Sequence, residues 1–152
     1  MRHMTAPVCR PATKADIPLL QEAEALCFPR DPWSLAQLAS HMDSAVGRAW
    51  IIEAEGALCA YLLASVIPPE GEVFRIATLP LYRQKGYARR LLSAFLADIP
   101  LCYLEVRASN LAARRLYESL GFIQTGVRPD YYQNPTEDAC LYKKNDDTHI
   151  RL

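Results

Sequence analysis

Two groups of residues carry possible chemistry in their types and spacing. The first is Arg83-Gln84-Lys85-Gly86-Tyr87-Ala88-Arg89, which lies between a strand-like segment and an amphipathic helical pattern. A strand, a glycine-containing turn and a helix N-terminus expose a row of backbone N–H groups at the positive end of a helix dipole, and that geometry binds phosphates. Gly86 allows close backbone approach and an unusual dihedral, and Ala88 keeps the first helical turn uncrowded. The chain has 17 Lys and Arg against 17 Asp and Glu. Between Val73 and Ala97, however, there are five bases (Arg75, Arg83, Lys85, Arg89 and Arg90) and no acid. A polyanionic ligand would require such a concentration; a solvated basic helix start would also produce it. The spacing is neither the three-glycine dinucleotide fingerprint nor a Walker loop, which needs Gly-Lys followed by Ser or Thr.

The second group is Glu105, Asn110 and Tyr117. Glu105 interrupts an apolar strand pattern, Leu101-Cys102-Tyr103-Leu104-Glu105-Val106. A charged group there is costly without a partner or a task. It is either a general base, or one half of a salt bridge to Arg107 or another base, or a strand-end group open to water. Asn110 and Tyr117 are two helical turns apart and share a helix face. Tyr117 reads as a core tyrosine with a satisfied hydroxyl, the commoner case for a lone tyrosine, or as a proton donor.

These residues need a scaffold, and the chain supplies one in recognisable pieces. Val8 to Pro11 reads as a first strand. Thr13, with Asp16 three residues on, opens a helix to about Leu26 whose Ile17, Leu20 and Ala23 form a buried stripe. Ser34 with Gln37 forms a second capping box and starts a short helix to about Met42. Arg48 to Glu53 and Ala57 to Val66 read as a hairpin turning at Glu55-Gly56. A strand from Glu72 to Thr78 leads into the basic loop, and Ala88, Leu91, Leu92, Phe95, Leu96 and Ile99 then line one helix face. After the Glu105 strand, Asn110 caps a helix through Leu120 that Gly121 stops. Phe122 to Val127 and Ala139 to Lys143 close the sheet through Tyr131-Tyr132-Gln133-Asn134-Pro135. The expected order βααβββαβαββ is one α/β domain over residues 4–145, with a frayed tail over 146–152. Met1-Arg2-His3 reads as a remnant or upstream start before Met4.

Bulk properties narrow the classes further. A chain of 152 residues, 51% hydrophobic and 22% charged, can bury a real core as a single domain. A net charge near zero argues against a nucleic-acid footprint over the whole surface. The longest mainly apolar run, Ala57 to Ile67, is too short to span a bilayer, and no signal peptide is apparent. Cys9, Cys27, Cys59, Cys102 and Cys140 stand singly, and His3, His41 and His149 lack metal-ligand spacing. The expectation is reduced thiols, no metal, and a cytoplasmic protein.

Arg83, Gly86 and Ala88 resemble the Arg/Gln-x-x-Gly-x-Gly/Ala pyrophosphate loop of the GNAT superfamily of N-acetyltransferases, with Ala88 at the place of the second glycine. Leu104-Glu105-Val106-Arg107-Ala108-Ser109-Asn110 and Leu116-Tyr117-Glu118-Ser119-Leu120-Gly121-Phe122 are similar to the bacterial ribosomal-protein-alanine N-acetyltransferases of the RimI type. So are Phe28-Pro29, Pro32-Trp33-Ser34, Arg128-Pro129-Asp130-Tyr131-Tyr132 and Glu137-Asp138-Ala139. The resemblance runs roughly from Pro7 to Lys143, with two departures: Ala88 stands for the second glycine, and the loop Tyr131 to Thr136 is similar only in its tyrosines, Gln133-Asn134-Pro135 differing.

The resemblance implies a single-domain GNAT fold, a mixed, mostly antiparallel sheet flanked by helices. It implies acetyl-coenzyme A as co-substrate and a protein N-terminal α-amine as acceptor, that of a ribosomal protein beginning with Ala, with no nucleic acid or membrane partner. Glu105 is then the general base, acting through a water, and Tyr117 the acid for the departing thiolate. Asn110 lies near the pantetheine end, and Ile76 and Thr78 offer backbone groups to the pantetheine arm and the thioester carbonyl. Gln84, Lys85, Gly86, Ala88 and Arg89 hold the pyrophosphate, with Ala77, Arg83 and Tyr87 completing the cofactor-binding set. Tyr131 and Tyr132 either line a peptide groove or pack.

Proton chemistry bears on the acceptor independently. An α-amine with pKa of about 7.7–8.0 is roughly one-third free at about pH 7.5, whereas a lysine at about 10.4 is free in about one molecule in a thousand. One carboxylate working through water suffices for the former. A lysine or small-molecule amine acceptor, and a non-catalytic acyl-coenzyme A sensor, are the competing readings.

Overall fold

The computed structural model describes residues 6–146. The expectations for a Met4 start and for a frayed tail beyond Asp146 lie outside the described residues. The elements are β1 (Val8–Pro11), α1 (Ile17–Cys27), α2 (Leu35–Asp43), β2 (Gly47–Ala54), β3 (Ala57–Ile67), β4 (Glu70–Thr78), α3 (Tyr87–Leu96), β5 (Leu101–Arg107), α4 (Leu111–Ser119), β6 (Ile123–Tyr132) and β7 (Glu137–Asn145), with short 3-10 turns at Lys14–Asp16 and Pro80–Tyr82. The expected order of strands and helices is therefore realised.

The strands form one seven-stranded sheet in the order β1-β2-β3-β4-β5-β7-β6. Every pairing is antiparallel except β4 with β5. That exception follows from the α3 crossover, since parallel neighbours need a long connection. Two cores sit on opposite faces of the sheet. One packs α3 and α4 against Ile52, Ala60, Leu62, Leu104, Val106 and Tyr142; the other packs α1 and α2 against Ile51, Tyr61 and Leu63. The near-continuous apolar run of β3 is explained by this, because a strand covered on both faces need not alternate.

Local signals account for most element ends. Ser34 Oγ accepts from the Gln37 N–H at 3.1 Å and Gln37 Oε1 accepts from the Ser34 N–H at 2.8 Å, the reciprocal capping box expected from sequence. Leu91, Leu92 and Phe95 of α3 are buried, and each such side chain contributes roughly 1.5–3 kcal/mol. Buried Gly71 permits this packing, since a Cβ there would stand 3.0 Å from Ile99 Cγ2 and 3.2 Å from Phe95 Cζ. Ile99, expected on the helix, lies beyond its end at Leu96 but still packs on the core. β6 extends through Tyr131 and Tyr132, further than the expected Val127, as a register shift between Arg128 and Tyr132 carries the strand past Asp130 at φ +51°.

Candidate active site

The site is created where β4 and β5 part. Their parallel pairing runs from Glu70–Leu101 to Val73–Leu104 and stops. At the same point β4 carries a bulge: Leu63 faces Arg75 and Ala64 faces Val73, so Phe74 is the extra residue. A bulge bends its strand and breaks the ladder. Beyond it, the β4 edge that carries Ile76, Ala77 and Thr78 has no strand partner on the β5 side among the described residues. Backbone groups on such an edge need another partner. One is supplied internally, since Arg83 Nε donates to the Thr78 carbonyl at 3.1 Å. The Arg83 side chain thus ties the basic loop to the strand before it, and Thr78 retains only its other groups for a ligand.

The basic loop follows. Gln84 (φ +63°) and Gly86 (φ +79°) both adopt left-handed backbone, and Gly86 is the N-cap of α3 without any side-chain cap. The first helical bond in α3 is from the Arg90 N–H to the Gly86 carbonyl, so the preceding N–H groups of Tyr87, Ala88 and Arg89 have no intrahelical acceptor. A Cβ built on Gly86 meets nothing within 4 Å. Gln84 and Lys85 make no hydrogen bond or ion pair with other described residues. An open, uncapped, basic helix start of this kind fits the pyrophosphate of a coenzyme A thioester. Gly86→Val therefore combines a left-handed backbone penalty with a side chain in the open space. We expect it to weaken acetyl-coenzyme A affinity about tenfold or more by calorimetry, and unchanged affinity would place the phosphates elsewhere.

Past the divergence, β5 presents Glu105, about one-third exposed and paired in register with Leu141 of β7. Its partner is Arg128 of β6, Nη1 to Oε1 3.1 Å. The neighbour considered from sequence, Arg107, is committed elsewhere: it contacts Glu137 at 3.4 Å and donates to the carbonyls of Pro135 and Gln133. Tyr131 and Tyr132 meet edge to face at 5.1 Å. Hydrogen bonding to Glu105 raises the Tyr131 pKa, while burial and then the Glu105 charge push Tyr132 up to about 12. Glu72 of β4 also feels Glu105: burial and then that like charge raise its pKa.

Tyr117 is buried on α4, with its ring edge to face against Phe122 at 5.9 Å and Tyr142 at 6.1 Å. Its hydroxyl forms no hydrogen bond with a described residue, nor is it among the buried polar atoms sealed without a partner. The ring is thus a core ring, as one reading of the sequence had it, but the hydroxyl is not consumed by the core. Burial, then the charge of Tyr132, raises its pKa, so it keeps its proton throughout the physiological range. Asn110 caps α4, Oδ1 accepting from the Ala113 N–H at 3.2 Å. Arg89 donates to Ser119 Oγ at 2.7 Å, and that hydroxyl donates to the Leu116 carbonyl. The N-terminus of α3 and the helix bearing Tyr117 are thereby joined directly. Tyr132 is in electrostatic reach of both Glu105 and Tyr117.

Sequence reasoning missed a second, buried network. Glu24 of α1 is fully buried; its Oε1 accepts from the Trp33 N–H at 2.9 Å and its Oε2 accepts from the Tyr61 hydroxyl. Arg75, on the bulged part of β4, stands 3.4 Å from Glu24 and 4.2 Å above the Phe28 ring, and donates to the Asp31 carbonyl. This network ties the loop between α1 and α2 to β4. A groove of about 610 Å³ then separates Arg30 on that loop from Asn134 and Pro135 in the β6–β7 turn. The only available signal was an acid, Glu24, at a position in register with the apolar stripe of α1.

The family model for the acetyltransferase (GNAT) family matches residues 17–122. The chain belongs to the GNAT family. Members of this family use acetyl-coenzyme A as acyl donor. The chain is 37% identical over 144 residues to the N-alpha-acetyltransferase RimI of Mycobacterium tuberculosis, covering 88% of this chain and 89% of that protein. It is 36% identical over 113 residues to the [ribosomal protein bS18]-alanine N-acetyltransferase of Escherichia coli, 71% of this chain and 74% of that protein. The crystal structure of the Escherichia coli ribosomal-protein-S18-alanine N-acetyltransferase superposes with a TM-score of 0.84 at 29% identity, covering 92% of this chain and 94% of that one. An uncharacterized protein of Mycobacterium leprae is 37% identical over 139 residues, and the matched region spans only 39% of its length. As a GNAT acetyltransferase the chain has the α/β fold expected from its sequence. Its five cysteines are free. Among the described residues no group of His, Cys, Asp or Glu is placed to hold a metal, and no helix is long and apolar enough to cross a membrane.

Proposed function

We propose that this GNAT enzyme acetylates the N-terminal α-amine of a protein, and that the acceptor is a ribosomal protein beginning with Ala, modified in the cytoplasm. The observation that carries this reading is the position of Glu105. It is the acid on β5 just past the point where β4 and β5 part, beside the aromatic pair Tyr131–Tyr132. Identity to the two named relatives supports the choice of acceptor.

In this reading, acetyl-coenzyme A supplies an activated acyl group whose carbonyl carbon the amine attacks directly, so no acyl-enzyme and no Cys or Ser nucleophile is required. The N–H groups of Tyr87, Ala88 and Arg89, with Gln84, Lys85 and Gly86, hold the pyrophosphate; Arg83 braces the loop. The free edge at Ile76, Ala77 and Thr78 receives the pantetheine arm, whose far end passes Asn110. Glu105 takes the amine proton through a water. Tyr117 donates its hydroxyl hydrogen to the departing sulfur. Because burial holds the Tyr117 pKa above that of an ordinary thiol at about 8.5, a strong hydrogen bond to the thiolate is the larger part of its effect. Tyr117→Phe should therefore lower turnover about a hundredfold with unchanged cofactor affinity, read by stopped-flow thiol release. Unaltered turnover would leave Tyr117 with a packing role.

The direct test is mass spectrometry after incubation with acetyl-coenzyme A, using a peptide that begins with Ala and a matched peptide with a blocked N-terminus and an internal lysine. Acetylation of the Ala α-amine is the expected result. Modification of lysine instead would overturn the acceptor assignment, and cofactor binding with neither product would point to a small-molecule amine or a sensor.

A further inference from the structure

We infer that Arg30 is a specificity-determining residue that selects an acidic side chain at the third or fourth position of the acceptor peptide. The inference rests on the proposed α-amine acceptor with Glu105 as its proton acceptor. It is carried by a groove whose two walls are each fixed by an arginine, while the polar side chains lining it are left unused.

The groove of about 610 Å³ is lined by Arg30 of the loop between α1 and α2 and by Asn134 and Pro135 of the β6–β7 turn. On the first wall, Arg75 of β4 holds the loop. It donates to the Asp31 carbonyl, stands 3.5 Å from the Asp31 carboxylate and lies over the Phe28 ring. The acid next to Arg30 in the chain is thus engaged by Arg75. Arg30 itself makes no hydrogen bond or ion pair with a described residue. On the second wall, Arg107 holds the turn through the carbonyls of Gln133 and Pro135, and Glu137 meets its charge at 3.4 Å. The Asn134 amide, between those two carbonyls, has no hydrogen-bond partner among the described residues. The lining therefore offers one permanent positive charge, one free amide and no acid. A guanidinium with an unused fork pairs best with a carboxylate, which can accept two parallel N–H bonds.

The position of this subsite along the acceptor follows from β5. Glu105 and Arg107 are two residues apart on that strand, so their side chains share a face and their Cα atoms stand roughly 7 Å apart. Arg107 reaches from there to the turn, so the groove begins at about two residues' distance from Glu105. An extended peptide advances at most about 3.3–3.6 Å per residue. With its amine at Glu105, the acceptor lays its third or fourth side chain in the groove. A Glu or Asp at that place meets Arg30, and a Lys meets a like charge.

The test measures kcat/KM on Ala-initiated peptides that differ only in carrying Glu, Gln or Lys at position 3 or at position 4, with the product mapped to the α-amine by mass spectrometry. Wild type should favour Glu over Gln by about three- to tenfold at one of the two positions, through KM, and should rank Lys last. Arg30→Gln should remove the preference for Glu. Arg30→Glu should reverse it and make Lys the best of the three, which loss of a merely structural role would not do. No preference for Glu over Gln in wild type at either position, a preference that survives in Arg30→Gln, or an equal loss on all three peptides would each overturn the inference. Arg30 is exposed, so both variants should fold, and matched thermal unfolding would verify this. Absence of α-amine product from every peptide would refute the proposed acceptor and the inference with it, whereas α-amine product without the expected order of charges would refute the inference alone.

Discussion

Glu105→Gln should lower turnover on an Ala-initiated peptide by about two to four orders of magnitude at neutral pH, the range removed with a general base, and leave acetyl-coenzyme A affinity intact. Gln fills the same volume and still accepts a hydrogen bond, but it cannot take up the amine proton. The proposed phosphate cradle lies on a separate segment, Gln84 to Arg89, so binding and chemistry should separate cleanly in calorimetry and steady-state rates. Without the carboxylate the proton must leave before attack, so the rate of the variant should climb with pH through the amine's own pKa of about 7.7–8.0. The deficit should therefore narrow toward alkaline pH. Normal turnover at neutral pH would remove Glu105 from the mechanism and reduce its contact with Arg128 to a surface ion pair, a contact worth about 0–1 kcal/mol.

The second large effect is on stability. Glu24→Ala should cost about 3–5 kcal/mol, the usual consequence of removing one partner from a buried charge pair. Three groups lose their acceptor or counter-charge at once: the Trp33 N–H, the Tyr61 hydroxyl and the Arg75 guanidinium. Tyr61 is fully buried and the Arg75 side chain is only 15% exposed, so water replaces these contacts poorly. Arg75 Nε already lacks a hydrogen bond, which leaves the pair no slack. Urea unfolding measures the change in midpoint at constant slope. Functionally, the loop between α1 and α2 should loosen, raising KM for the acceptor peptide more than for the cofactor. A destabilisation below about 1 kcal/mol would mean that the network is solvated in the unliganded protein.

The features legible in the sequence are those set by neighbours in the chain. The Ser34–Gln37 capping box, the Glu55-Gly56 hairpin turn, the apolar face of α3 and the Asn110 cap each depend on residues within a few positions, so their patterns carry their own physical cause. The glycine-containing turn before α3 belongs to this class as well. Gly86 at φ +79° and the free N–H groups behind it arise from a short glycine-containing turn. The arrangement of Glu105 and Tyr117 on a strand and the following helix was readable in the same way, from period and spacing.

Other features depend on residues brought together from distant parts of the chain. The bulge at Phe74 has no local signature, because it is defined by the partner strand against which Arg75 and Val73 are in register. Yet that bulge is where β4 and β5 separate and the site opens. Glu24 and Tyr61 are 37 positions apart, and an acid within an apolar helix face gives no indication of which buried hydroxyl or guanidinium will meet it. For Glu105, chain proximity favoured Arg107, whereas the fold gives it Arg128, 23 positions away. The β6–β7 turn draws Arg107 to its carbonyls and leaves Arg128 on the exposed outer strand to reach the carboxylate. By itself the sequence determined the order of elements and the glycine-containing turn before α3, since each follows from short-range sterics, dipoles and periodicity, whereas the roles proposed for that turn and for Glu105 and Tyr117 come from resemblance to the family. Tertiary structure alone decided where the sheet opens and which charges neutralise one another, because pairing across a sheet depends on register and competition among distant partners.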